Sequence, residues 1–301
     1  MRKKIDIAAT LALSASILAG STVPLFLKYF TSYIDNWTAN GIRYPFSALL
    51  YLPWLLRARK RGALTEKMWK LALPPTIINV FGQILWAWTP YYIDPGLMSF
   101  LFRLSTLWAV LGSFIMFKDE RHLIRSTNFW FGFILAVGGF FAIILWGKQT
   151  FNKATAIGIT MIFFSSICWA GYQLFVRRNL SSVDSRTSFG MVSVITSIGL
   201  LGGMFSFGNP EKALHIPTGI LFLVIISGFI GVAAAHLLLY FALKRIGVAI
   251  CSTTNLASPF LTAFLSHLLF SEILTVGQWI AGIIFVLGGF FLIRAQVDLR
   301  K

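Results

Sequence analysis

Two arginines, Arg43 and Arg103, stand inside apolar runs of this 301-residue chain, about seven and eight residues in from the ends of those runs. At about 1.5 Å of rise per helical residue, both lie roughly 10–12 Å deep if the runs cross a bilayer. An arginine at the centre of a membrane helix costs at least about 2.5–3.5 kcal/mol to insert, so it should face protein or water and have a partner. Polar and aromatic side chains recur around them at helical spacing. Asn79, Gln83 and Trp86 fall at i, i+4 and i+7, and Ser165, Trp169, Tyr172 and Gln173 share a face in the same way. His236 has Tyr240 four residues on, and Asn255 and Ser258 lie beside Pro259, which breaks the helical hydrogen-bond ladder and frees a carbonyl. Together these sets would wall a cavity with aromatic faces and amide or hydroxyl ends. Singly, each residue serves as well to hold helices together.

The acids are as informative by their positions. All ten (Asp6, Asp35, Glu66, Asp94, Asp119, Glu120, Asp184, Glu211, Glu272 and Asp298) fall at helix ends or in loops. No buried carboxylate is therefore at hand to exchange a proton for a cationic cargo. A cavity with two guanidinium groups and no acid attracts a carboxylate or phosphate instead, in a low-dielectric site where charge complementarity is worth more than in water.

The elements that must carry these groups follow from composition. The chain is 57% hydrophobic and only 12% charged, whereas soluble domains carry about 25% charged residues. A net charge of +16 would suggest nucleic acid in a soluble protein, but here the basic residues sit in short clusters between apolar runs, as topology signals do. A spanning helix needs about 20 mostly apolar residues, and ten candidates occur: 5–25, 36–56, 69–91, 95–117, 127–147, 154–176, 187–207, 217–240, 248–270 and 275–294. The first has a basic start and small residues at Ala19, Gly20 and Ser21 like a secretory signal, yet nine further spans follow it, so it is expected to remain as the first membrane helix. Lys and Arg number twenty in the segments on the N-terminal side of the membrane against four opposite (Lys28, Lys148, Lys153 and Lys212), which places both termini in the cytoplasm. Cys168 and Cys251 lie in apolar segments, and no spacing suggests a disulfide framework or a metal site.

The chain also repeats itself. "FWFGFILAVGGFFAI" at 129–143 lies over "WIAGIIFVLGGFFLI" at 279–293, with seven of fifteen positions identical. Glu120 of "FKDE" pairs with Glu272 of "LFSE", and "LAGS" at Leu18 with "WAGY" at Trp169. The repeated "GGFF" is expected to serve close helix packing. Two halves of five helices, 1–150 and 151–301, follow, and an odd number makes the second enter the membrane from the opposite side. The expected fold class is thus an all-α polytopic membrane protein of ten transmembrane helices in two inverted five-helix repeats, the arrangement that gives alternating access around a midplane site.

"RYPFSALL" at 43–50, "YYIDPGLMSFL" at 91–101, "ALKRIGVAICSTTNLASPFLTAFLSHLLFSEILT" at 242–275 and "QWIAGIIFVLGGFFLI" at 278–293 resemble the EamA-like branch of the drug/metabolite transporter superfamily. The resemblance covers nearly the whole chain. It implies a ten-helix bundle in the inner membrane of a bacterium that moves a small metabolite, usually outward. Arg43 opens the family pattern of the second helix, so the resemblance would fill that position whatever the cargo. Leu107 stands where its counterpart in the second half is Pro259, and Arg103 occupies a fourth-helix position that the family usually leaves uncharged. Two readings of Arg43 stand: a structural one, in which it snorkels outward, satisfies carbonyls at a helix end or pairs with Asp35 or Asp94, and a substrate-facing one. The structural reading is the expectation for Arg43. For Arg103 the cargo is the expected partner, with snorkelling or helix pairing as its rival.

No HExxH pair, acid pair, GxSxG or P-loop occurs, so the chain is not expected to be an enzyme and no cofactor, catalytic residue or metal is implied. Two unequal arginines do not make the symmetric filter of a channel. The expected function is a transporter, an exporter or exchanger, for an amino acid or another carboxylate-bearing metabolite. Multidrug efflux is the alternative within that class, and a non-transporting membrane scaffold or enzyme subunit the alternative outside it. The expected partners are a small-molecule substrate and the lipid bilayer, without nucleic acid, for a monomer or homodimer. The expected cavity residues are Asn79, Gln83, Trp86, Arg103, Trp169, Tyr172, Gln173, His236, Tyr240, Asn255 and Ser258, with Arg43 either structural or in contact with substrate.

Overall fold

The positions of the acids at helix ends have a structural reason. In the computed structural model, which describes residues 6–147, 152–246, 251 and 254–299, Asp6 caps the first helix, α1 (Ile7–Phe30), by accepting from Ala9 N at 3.0 Å. Asp35 caps α2 (Asn36–Leu49) through Thr38 N, and Asp184 caps α9 (Ser185–Phe207) through Arg186 N and Thr187 N. Each supplies an oxygen to N–H groups that a helix start leaves without an intrahelical partner. Asp94, at the start of α5 (Pro95–Phe102), instead pairs with Lys28 of α1 at 2.8 Å.

The remaining long elements are α3 (Leu52–Lys60), α4 (Glu66–Trp88), α6 (Leu104–Met116), α7 (Thr127–Leu145) and α8 (Lys153–Leu180). After the short α10 (Lys212–His215) come α11 (Thr218–Gly228), a π-helical turn at Phe229–Ala234, α12 (Ala235–Ile246), α13 (Ser258–Phe270) and α14 (Val276–Leu299). Among the described residues there is no strand, and eight helices are long and apolar enough to cross a membrane. Ile115, Leu145, Phe205, Phe207 and Ile273 are among the large apolar side chains exposed on the outside, while Arg43, Asn40, Ser47, Thr196 and Ser227 are buried. That inside-out distribution suits an apolar solvent around the bundle.

The expected span at 36–56 is not one helix. It divides into α2 and α3 at Leu50 and Tyr51. Pro53 lies in the first turn of α3, where its missing N–H has no intrahelical role, whereas in a continued helix its ring would clash with the Leu49 carbonyl. The fourth span is likewise interrupted: around Arg103 the backbone turns to i→i−3 bonds, Arg103 N to Phe100 O and Thr106 N to Arg103 O. On the facing element, α13 begins at Ser258 after a turn at Leu256 and Ala257. Two backbone breaks therefore meet in the middle of the bundle.

Residues from both halves share one apolar core that includes Leu97, Phe100, Leu101, Phe140, Ile143, Ile162, Ala263 and Phe285. The proposed junction of the halves, at residues 150 and 151, lies outside the described residues. Helix α7 packs along α14, α4 along α8 and α2 along α9. The repeated glycines explain how closely α7 and α14 approach. A Cβ on Gly132 would stand 2.8 Å from Gly288 O, and one on Gly139 2.7 Å from Phe285 N, both rigid backbone. A Cβ on Gly288 would stand 2.8 Å from Gly132 O, whereas Gly138 has open space. Gly288→Ala is expected to destabilise the folded protein by about 1–3 kcal/mol through overpacking. Gly138→Ala should be neutral or stabilise by about 0.5–1 kcal/mol through helix propensity. Thermal unfolding in detergent distinguishes the two, and equal melting temperatures would refute this account of the crossing.

One acid ties two elements together. Glu272, in the turn between α13 and α14, is only 7% exposed, a buried carboxylate contrary to the expectation from sequence although outside the cavity described below; it accepts from Gly96 N at 2.7 Å and Leu97 N at 2.9 Å, the first free donors of α5. Burial pushes its carboxyl up from the usual value, against the opposing pull of Ser266 and of the two backbone N–H groups. A Cβ on Gly96 would stand 2.7 Å from Glu272 Oε2, so a side chain there would displace the carboxylate from this seat. Glu272→Ala should cost about 1–3 kcal/mol by leaving buried donors unpaired. Glu272→Gln should recover part of that, because an amide oxygen still accepts. If Gln and Ala melt together at the parent temperature, the carboxylate does not hold these elements.

Candidate functional site

The breaks at Arg103 and Ser258 open onto a cavity of about 200 Å³ near the middle of the bundle. Its wall takes residues from α1, α2, α4, α5, α8, the π-turn with α12, and α13, together with Arg103 and Asn255.

Arg43 is 1% exposed, so it does not snorkel to the surface. Its Nε donates to Ser227 Oγ at 2.8 Å and its Nη1 to Asn40 Oδ1 at 3.3 Å. Neither Asp35 nor Asp94 serves as its partner, because Asp35 is taken by Thr38 and Asn209 and Asp94 by Lys28. Asn40 donates in turn to Gln83 O at 3.1 Å, which braces the arginine against α4. Gly228 lets α11 lie on the backbone of Arg43, since a Cβ there would overlap the Arg43 carbonyl. The third nitrogen, Nη2, is buried and has no hydrogen-bond partner among the described residues; it lies beside Gly231 of the π-turn, another residue of the cavity wall.

Arg103 reaches across the bundle. Its Nη2 donates to Ser258 Oγ at the start of α13, while its Nε is buried without a partner. Both guanidinium groups therefore have neutral partners and an unused donor, and both line the same cavity.

Amides and rings complete the wall. Asn79 Nδ2 donates to Thr196 Oγ1 at 3.1 Å and Gln83 Nε2 to Asn79 Oδ1 at 3.4 Å, so both amides brace helices as well as line the void. His236 Nδ1 meets Val232 O at 2.6 Å; a carbonyl only accepts, so Nδ1 carries a proton, and when the ring is neutral Nε2 is its accepting nitrogen. The His236 ring stacks on Phe189 at 4.5 Å. Trp86 packs on Phe102 at 4.2 Å, Phe102 on Trp169 at 5.9 Å, and Trp169 on His236 at 6.3 Å. These rings form a continuous wall, and a π-helical turn places His236 at its end.

Of the residues expected from the sequence, the structure brings Asn79, Gln83, Trp86, Arg103, Trp169, His236, Asn255 and Ser258 around one cavity, with Arg43. Tyr172 is buried beside it and lines only a small adjoining void, and Gln173 is in neither wall. The side chain of Tyr240 lies outside the described residues. Sequence reasoning missed Ser16, Gly20, Val23 and Pro24 of α1, and also Tyr44 and Phe102. A signal for α1 was present: the pairing of "LAGS" with "WAGY" sets the first helix in the place that Trp169 occupies in the sixth.

Comparison with known proteins fits this arrangement. A profile described as the EamA-like transporter family matches residues 6–146 and 156–295. A Haemophilus influenzae protein described as an uncharacterized transporter is 23% identical over 181 residues, 60% of this chain and 60% of its own length, so the chain matches less than two thirds of that relative. The Bacillus subtilis uncharacterized transporter YyaM is 23% identical over 282 residues, 92% of this chain and 90% of its own. A solved structure described only as the crystal structure of a protein shares the fold, with a TM-score of 0.63 at 15% identity over 97% of both chains.

Proposed function

The chain belongs to the EamA-like transporter family, and from that premise we propose that it carries a small carboxylate-bearing metabolite, an amino acid or another organic acid, across a bacterial inner membrane. Transport would proceed by alternating access between two inverted halves of five helices, 1–150 and 151–301, with both termini in the cytoplasm. One observation carries the choice of cargo: a mid-bundle cavity lined by two guanidinium groups with unused donors and by no carboxylate. Such a site pulls an anion out of water into fixed donors.

The volume bears on the rival within the class. About 200 Å³ lies below the roughly 300–1,000 Å³ of sites for drug-sized ligands, which favours a small metabolite over multidrug efflux. A scaffold or enzyme subunit would need no polar wall drawn from so many helices. Counterflow into proteoliposomes with amino acids, organic acids and phosphorylated metabolites tests the proposal. Accumulation of a labelled anion against an unlabelled internal pool is the expected result. Saturable counterflow of cations alone would overturn the anion reading, and absence of counterflow and of ligand-induced stabilisation for every compound would favour a scaffold.

Orientation has its own test. Reporters fused after Gly62 and after Lys301 are expected to signal from the cytoplasm and one near Lys153 from outside, given the loop charge bias. The same side for the Gly62 and Lys153 fusions would end the inverted-repeat proposal.

A further inference from the structure

The charge on the wall can be counted from helices whose acids are all known. No Asp or Glu occurs at 36–65, 67–93, 95–118, 121–183 or 212–271, so no residue of the spans that carry Arg43 and Arg103, or of those facing them, can lend a negative charge at cavity depth. The nearest acids are committed elsewhere: Glu272 to Gly96 N and Leu97 N, Asp94 to Lys28, and Asp35 to Thr38 and Asn209. Arg43 and Arg103 thus bring two positive charges to the wall of one cavity, held by Ser227, Asn40 and Ser258, all of them neutral. Buried charge without a counter-charge is costly in a low-dielectric interior. An α-amino acid, whose charges cancel, would leave both positive charges uncompensated, and a monocarboxylate would leave one.

We infer that the cargo is a small dianion, a dicarboxylate or a phosphate monoester, whose two negative charges are shared between the guanidinium groups of Arg43 and Arg103 that line this one cavity. This rests on the reading of that cavity as an anion transport site, and it favours doubly charged anions, phosphate esters included, over the amino acids named above. The geometry is that both side chains line one cavity and that each keeps a nitrogen without a hydrogen-bond partner among the described residues, a donor that a small turn of the guanidinium would bring to the cargo. Arg43 therefore has a ligand role besides the structural one expected of it: two of its nitrogens fix it to Ser227 and Asn40, and the third is left for the cargo. The neutral wall completes the fit, with rings of Trp86, Phe102 and Trp169 for a short carbon skeleton and His236 Nε2 for a hydroxyl or protonated oxygen.

The test compares molecules of one shape and different charge on the full-length protein in proteoliposomes, with thermal stabilisation in detergent as a second readout. Succinate is set against its monoamide, and glycerol phosphate against its methyl ester, at a pH where the phosphate carries both charges, above its second pKa of about 6. At least one dianion is expected to half-saturate counterflow at a concentration roughly ten- to a hundredfold below that of its singly charged partner. Which pair shows the difference separates dicarboxylate from phosphate. If a monoamide, a methyl ester or a zwitterionic amino acid is carried as tightly as every dianion, the dianion is wrong while an anion transporter survives. If no anion of any charge is carried or stabilises the protein, the cavity reading itself fails. In Arg43→Lys, which keeps the charge, the preference for the dianion should persist in weakened form, and a variant with unchanged preference and affinity would remove Arg43 from the site.

Discussion

Arg103→Gln is expected to fold, insert and melt like the parent while losing transport of anions. The guanidinium group is joined to the rest of the bundle by one hydrogen bond, to Ser258, at a place where the helix is already interrupted. Its removal therefore breaks no long ladder, and glutamine retains an amide able to meet the same hydroxyl. The cargo loses a charge-assisted contact in a partly desolvated site, worth about 1.5–3 kcal/mol, or roughly ten- to a hundredfold in affinity. Arg103→Lys should recover only part of this, because a lysine ammonium restores the charge without the planar fork that binds a carboxylate or phosphate in two places. Ser258→Ala supplies the contrast: it frees the Arg103 Nη2 without removing charge, so its effect should be smaller than that of Arg103→Gln. The measurements are half-saturation in counterflow and melting temperature, taken on the same preparation. Transport by Arg103→Gln equal to that of the parent for every substrate would end the anion site, as would a proven cargo that is only cationic.

Much of this cavity's wall is legible in the sequence, and the reason is geometric. Helical spacing alone sets Asn79, Gln83 and Trp86 on one face, and the structure finds all three on one wall. The same rule overreached at Gln173 and Tyr172, because sharing a face does not say how wide the void is, and the wall closes at Trp169 with Tyr172 packed behind it. What spacing cannot report is the course of the backbone. The π-turn before His236 and the i→i−3 turn at Arg103 carry no proline within them, so no strong breaker marks them in the sequence. The break after Leu49 was legible, since Pro53 was in plain view, yet the run of apolar residues outweighed it in the reading of one long span. The first helix was expected as a membrane span, but its share of the cavity wall was missed, because it offers there only Ser16, Gly20, Val23 and Pro24, none of which announces chemistry by type.

Arg43→Gln should do two things at once, and the second separates a ligand role from a purely structural one. The side chain is almost wholly buried and holds Ser227 on α11 and Asn40 on α2. Shortening it leaves Asn40 Oδ1 and the space beside Gly231 without a donor, and each buried group so orphaned costs about 1–3 kcal/mol. The yield of folded protein should fall accordingly, seen as less monodisperse material after extraction and a lower melting temperature. In the molecules that do fold, the cavity now carries one positive charge. A dianion and its singly charged partner should then bind with affinities much closer together than in the parent, because the second negative charge has lost its counter-charge. If Gln proves too unstable, Arg43→Lys carries the test through affinity: it retains the charge without the planar fork, so a ligand role weakens dianion binding, whereas a purely structural role leaves the affinity of the folded molecules at its parental value. A structural arginine and nothing more would lower yield in both variants and leave the ratio of dianion to monoanion affinity at its parental value. Restoration of that ratio by lysine, after its loss in glutamine, is the pattern that only a charge facing the cargo produces.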